Sequence, residues 1–132
     1  MRSPVPMSAM DKAILAERGC AVRQFDGLPG VYFMVIGHEA NGPVHRIELG
    51  DGSLIRTDTG IRLGSWLSAV GASYGPALDE PFDFYPEDGH AVLVPAGAGS
   101  SLFMVFIADS GDRVVWIRLG YRAEVTASEG CS

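Results

Sequence analysis

Positive charge is scarce in this chain. Ten Lys and Arg residues stand against sixteen Asp and Glu, giving a net charge of −6 over 132 residues. The basic residues never form a run, which argues against a surface that tracks the phosphates of a nucleic acid and disfavours anionic membranes. Long apolar runs are missing too. The longest, Leu102 to Ala108, falls far short of the roughly twenty residues a helical membrane span needs, and its β-branched and aromatic content suits a buried strand. The first residues, Met1 to Gly19, lack the continuous apolar stretch of an export signal, and Pro4 and Pro6 interrupt them. A cytoplasmic chain and a trimmed exported one are both compatible with that start.

Catalytic and metal-binding signatures are equally sparse. His38, His45 and His90 are the only histidines, and they form neither an i, i+4 pair on a helix nor a partner set for cysteines at zinc spacing. The one Gly-x-Ser-x-Gly match, Gly71-Ala72-Ser73-Tyr74-Gly75, falls at the end of the expected second helix rather than on a strand-to-helix elbow, and the glycine-rich Gly97 to Ser101 leads into a strand rather than a helix, so no helix N-terminus is offered to an anion. The expectation is a protein that is not an enzyme and holds neither cofactor nor metal.

Only two cysteines are present, Cys20 and Cys131. A bridge between them would close nearly the whole chain, stabilising it by roughly 4–5 kcal/mol in the loop-entropy picture, less any native strain. Two separate reduced thiols in a cytosolic protein are the alternative.

What is present is an internal resemblance. Phe33 to Gly50 aligns without a gap on Phe103 to Gly120 with seven identities in eighteen positions, where about one is expected from average composition. Both segments read as strand, turn, strand. The pattern predicts a helix over Ala9–Arg18 closed by Gly19, and strands over Cys20–Phe25, Val31–Gly37 and Val44–Leu49. A second helix is expected over Ser65–Tyr74, stopped at Gly75-Pro76. Strands follow over Phe82–Tyr85, Ala91–Val94, Ser101–Ala108 and Arg113–Leu119, with a last extended piece over Glu124–Thr126. The expected fold class is α+β: two tandem helix-then-antiparallel-strand units, residues 1–52 and 53–132, together one compact domain whose sheet carries its helices on one face.

Two places stand out as candidate binding residues. The interval between helix-closing glycine and FMV strand is longer in the second half and contains Phe82, Asp83, Tyr85, Glu87, Asp88 and His90, a mixture of rigid aromatic area and acids that steers a basic partner. The plainer alternative is a strand whose Phe82 and Phe84 alternate into the core. Trp116, between Val115 and Ile117, is placed outward by alternation, and Arg46 occupies the aligned place in the first half. An outward tryptophan on a sheet is a hot-spot candidate; cover by another segment is the alternative.

The pattern Gly60-Ile61-Arg62-Leu63-Gly64, then Leu67, Val70, Tyr74, Gly75, Tyr85, Gly89-His90, the Phe103 strand, Val115 to Gly120 and Glu129-Gly130-Cys131 resembles a group of small exported bacterial proteins and lipoproteins. Cys20 followed by Leu28 to Val35 and Arg46-Ile47 carries the same likeness into the first half. More distantly, the arrangement is similar to the β-lactamase inhibitor protein fold and to the small lipoprotein of the outer-membrane barrel-assembly machinery. This resemblance implies a periplasmic or secreted, non-catalytic binding or inhibitor-like module that contacts a protein or cell-envelope component. A cytoplasmic small-ligand or regulatory domain is the rival, followed by an enzyme with a dispersed site.

Overall fold

The computed structural model describes residues 6, 9–36, 44–75, 90–96 and 101–125. The chain runs α1 (Ala9–Arg18), β1 (Cys20–Arg23), β2 (Val31–Ile36), β3 (Val44–Leu49), α2 (Leu67–Tyr74), β4 (His90–Pro95), β5 (Leu102–Ala108), β6 (Val114–Tyr121) and the four-residue α3 (Arg122–Val125). All six strands form one antiparallel sheet in the order β1-β2-β3-β6-β5-β4. The two hairpins meet at β3 and β6, where Glu48 lies opposite Arg118 and Ile47 opposite Leu119.

This overturns the expected fold class of two tandem helix-plus-strand units with helices on one shared face. The described elements form a continuous sheet, and α2 is the helix that contributes side chains to its main core. Val70, Leu67 and Tyr74 pack with Phe106 on one face, whereas Val125 of α3 packs with Val105 and Ile107 on the other. None of the described side chains of α1 enters either apolar cluster. The expected extended piece over Glu124–Thr126 is in part helical, since α3 reaches Val125.

The gapless internal alignment also fails at its first strand, for a reason of register. Ile47 pairs with Phe33, but its aligned counterpart Ile117 pairs with Phe106 rather than Phe103. The second hairpin is slid by three residues, and an odd slip exchanges the faces of a strand. Phe33 therefore packs on the main core while Phe103 packs on the opposite cluster. The matches Ile47/Ile117 and Leu49/Leu119 do share the main-core face, whereas Val44 is exposed and its counterpart Val114 is buried. Both second strands carry a bulge at the aligned place: the register steps over His45 in β3 and over Val115 in β6. Each inserted residue resets the alternation that follows it.

The helix α2 is held by its neighbours rather than by a side-chain cap. Trp66 is its N-cap and makes no capping hydrogen bond. Instead the Leu67 N–H donates to the Asp112 carbonyl at 2.9 Å, Val114 N–H to Ser65 at 2.8 Å, and Gly64 N–H to Val114 at 2.7 Å. The Arg113 guanidinium lies 3.6 Å from the centroid of the Trp66 ring and donates to the Gly64 carbonyl at 2.8 Å. The turn that supplies these groups is shaped by Asp109, whose Oδ1 accepts from Gly111 and Arg113 N–H. Gly75, with φ of 78°, ends the helix and donates to Gly71.

Helix and sheet cover only part of the main face. Towards β4 and β5, α2 buries Phe106, Val94 and Val114. Towards β2 and β3, the connection from Gly50 to Ile61 lies along the same face among the described residues, and a gap borders it.

Candidate apolar cleft

That gap is a cleft of about 440 Å³. Its floor is the main face of the four middle strands: Val31 and Phe33 from β2, Ile47 and Leu49 from β3, Ile117 and Leu119 from β6, and Met104 from β5. These side chains share a face because each pair lies two residues apart on its strand and the strands are in register across it. Leu28 and Ala96 close two sides, and Ile55, Arg56, Thr57 and Asp58 form the remaining wall.

The wall is positioned by backbone chemistry. Ile61 is buried and anchors its far end in the core, while Thr57 closes a turn by donating its N–H to the Ile61 carbonyl at 2.8 Å and accepting Ile61 N–H on its hydroxyl at 3.1 Å. At the near end Gly50 N–H donates to Gly30 at 2.7 Å and Ser53 N–H to Gly50 at 3.0 Å. Gly30 has φ of 71°, and a Cβ there would collide with Ser53 N and come within 2.6 Å of the Gly50 carbonyl oxygen and 2.7 Å of that of Asp51. Only glycine allows both that backbone conformation and that approach.

Polar groups at the cleft are few and mostly engaged. The Asp58 carboxylate accepts the Tyr74 hydroxyl at 2.7 Å, and Thr57 is held in its turn. Arg56 is exposed at the rim and makes no hydrogen bond or ion pair among the described residues. Ile55, in the wall, is 40% exposed, and its chain neighbour Leu54 is 84% exposed.

The opposite face of β3 and β6 has the reverse character. Arg46 is 1% exposed, and Glu48 and Arg118 are 8% exposed. Glu48 Oε1 lies 2.8 Å from Arg118 Nε and 3.6 Å from Arg46 Nε, and accepts the Trp116 indole N–H at 3.1 Å. Arg118 also donates to the Val125 carbonyl at 3.4 Å, which ties α3 to the sheet. Trp116 stacks on Tyr32, with ring centroids 5.8 Å apart, and covers Gly50, where a Cβ would strike its ring. Burial, then the neighbouring Arg46, draws the Arg118 guanidinium below its ordinary pKa, and Glu48 draws it back up. It stays charged at neutral pH. This cluster closes a face and offers no access to a ligand.

The outward placement expected for Arg46 and Trp116 is thereby corrected. Arg46 is fully buried, and Trp116 is half-buried against Leu93, Val105, Ile107 and Val125. The alternation argument set Val115 and Ile117 on one face. The bulge breaks it, leaving Val115 37% exposed and Ile117 in the core.

Phe82, Asp83, Tyr85, Glu87 and Asp88 lie outside the described residues, as does the expected strand over Phe82–Tyr85. His90 opens β4 opposite Ala108. Cys20, half-buried at the start of β1, is disulfide-bonded; Cys131 lies outside the described residues. Among the described residues no three His, Cys, Asp or Glu side chains converge as metal ligands, and no helix is long and apolar enough to cross a membrane.

Sequence reasoning missed the cleft. Its signal lay in Arg46-Ile47-Glu48-Leu49 and Trp116-Ile117-Arg118-Leu119, which alternate strictly and so predict one continuous apolar stripe across two strands. No family model matches the chain, and no curated protein or solved structure is similar to it.

Proposed function

We propose that this protein is a non-catalytic binding module that takes an apolar cell-envelope component into the cleft over β2, β3, β6 and β5. The observation that carries this reading is the cleft itself: about 440 Å³ floored by seven apolar side chains, within the size range of small-molecule sites and with the apolar lining typical of them. Its polar groups do not compose acid–base machinery. Thr57 and Asp58 are hydrogen-bonded within the fold, and Arg56 carries a fixed charge.

A bridge between Cys20 and Cys131, the two cysteines of the chain, would fit an exported location. The same cleft would serve a cytoplasmic ligand domain, and the cysteines separate the two. Protein from the host envelope fraction should resist alkylation at both thiols until reduced, with a monomer mass. Ready alkylation would remove the exported reading and leave the cleft.

The binding reading is tested with an apolar fluorescent probe such as N-phenylnaphthylamine. Saturable binding by the wild-type protein that is lost in Ile47→Trp, a variant that fills the floor, supports the cleft. Equal binding by a folded Ile47→Trp variant would place the probe elsewhere and refute it.

A further inference from the structure

We infer that the occupant of the cleft is a single-chain amphiphile with a carboxylate head, its alkyl chain on the sheet and its head on Arg56. The inference rests on the apolar cleft being a binding site and adds the class of ligand.

Three features select this chemistry. First, the floor offers no polar partners. The amides of β2, β3, β5 and β6 are consumed in the sheet, and Phe33, Ile47, Leu49, Ile117 and Leu119 present only carbon. A peptide lying there would bury amide groups without hydrogen bonds, at about 1–3 kcal/mol for each in protein terms, whereas an alkyl chain has nothing to satisfy. Second, the polar rim is selective by what is left over. Asp58 is held by Tyr74 and Thr57 by its turn, so Arg56 is the rim side chain with uncommitted donors among the described residues. Its planar fork matches a carboxylate in two parallel hydrogen bonds. Third, the wall beside Arg56 is apolar at Ile55, which is 40% exposed, so the chain of an incoming amphiphile meets carbon before it reaches the floor.

The protein's net charge of −6 does not forbid an anionic head. Distant charges are screened over about 8 Å at physiological salt, while a contact pair at the rim is screened far less. An exposed pair contributes modestly, so the head group sets a preference of about three- to tenfold and the alkyl chain supplies most of the affinity.

The test uses the full chain and matched ligands: laurate, lauryl alcohol and laurylamine, each read by displacement of N-phenylnaphthylamine and by direct calorimetric titration. Laurate is expected to bind about three- to tenfold more tightly than the alcohol, with the amine weakest. Arg56→Gln, an exposed substitution that leaves the fold intact, should bring laurate down to the alcohol's affinity without changing the alcohol. Raising salt should shrink the laurate preference in the wild type and leave the alcohol unmoved. If laurate and alcohol bind the wild type equally, or Arg56→Gln weakens both alike, the head-group assignment falls while the apolar cleft stands. If none of the three displaces the probe, the amphiphile is wrong; if the probe itself does not bind, the cleft reading is wrong as well.

Discussion

The two faces of the β3–β6 pair are both largely buried but differ in chemistry, one holding charge and the other carbon. On one face Arg46, Glu48 and Arg118 are buried beneath Trp116, Tyr32 and α3. On the other, Ile47, Leu49, Ile117 and Leu119 line an opening. A sheet built only for stability would cover its carbon and expose its charges. Here one face bears the desolvation cost of an ionic cluster, while on the other Leu49 and Ile117 are buried in the core and Ile47 and Leu119 are half-buried beside the cleft.

The largest expected effect breaks the closed face. Glu48 Oε1 gathers Arg118 at 2.8 Å, Arg46 at 3.6 Å and the Trp116 indole at 3.1 Å. Glu48→Gln keeps the shape and removes the carboxylate that Arg118, Arg46 and Trp116 share. The expected loss is about 3–5 kcal/mol in denaturant unfolding. A midpoint shift under about 1 kcal/mol would mean that the cluster is solvated and that the closed face is not closed.

The apolar face divides in turn. Phe106 is fully buried under α2 and contacts Tyr74, whereas Ile47 borders the cleft. Phe106→Ala is expected to cost about 3–5 kcal/mol, the value for a large side chain removed from a packed core. Ile47→Ala leaves no enclosed void and should cost about 1–2 kcal/mol, below the usual range for buried isoleucine. Equal losses would show that the cleft region is packed as tightly as the core. A smaller effect belongs to the wall: Gly30→Ala forces a side chain into a left-handed conformation against the Gly50 to Ser53 backbone. About 2 kcal/mol should be lost, with weakened probe binding because the wall moves.

How far this was legible depends on whether the deciding interaction is local. Helix α1 over Ala9–Arg18 and strand β3 over Val44–Leu49 coincide with the spans read from periodicity and turn residues. Those are local properties. Which strand residues oppose one another is not. The identities Phe33/Phe103, Met34/Met104 and Val35/Val105 looked like equivalent positions, yet the slid hairpin puts Phe103 on the face opposite Phe33. Whether a strand face is covered is likewise decided by distant segments. Alternation set Trp116 on the face opposite Ile117 and the alignment set Arg46 with it, and both were assigned to solvent because nothing local reveals the segments that cover them. The cleft needed both pieces of information at once, a continuous apolar stripe and the distant segments that border it.

The smallest expected effect discriminates most finely between strict alternation and the bulge. If β6 alternated without interruption, Val115 would point to the same side as the buried Ile117, and Val115→Thr would place a hydroxyl in the core at about 1–3 kcal/mol. In the structure the pairing passes from Ile107–Trp116 to Ala108–Val114, Val115 is the inserted residue, and it is 37% exposed. Threonine keeps the β-branched shape that an extended backbone favours and places its hydroxyl in water. Val115→Thr is therefore expected to change stability by no more than about 0.5 kcal/mol, whereas Val114→Thr, one residue away and 1% exposed, should lose about 1–3 kcal/mol. Measured side by side in urea, a large loss for Val114 with none for Val115 locates the bulge. The opposite result would restore the unbroken strand, with Val115 on the core side beside Ile117.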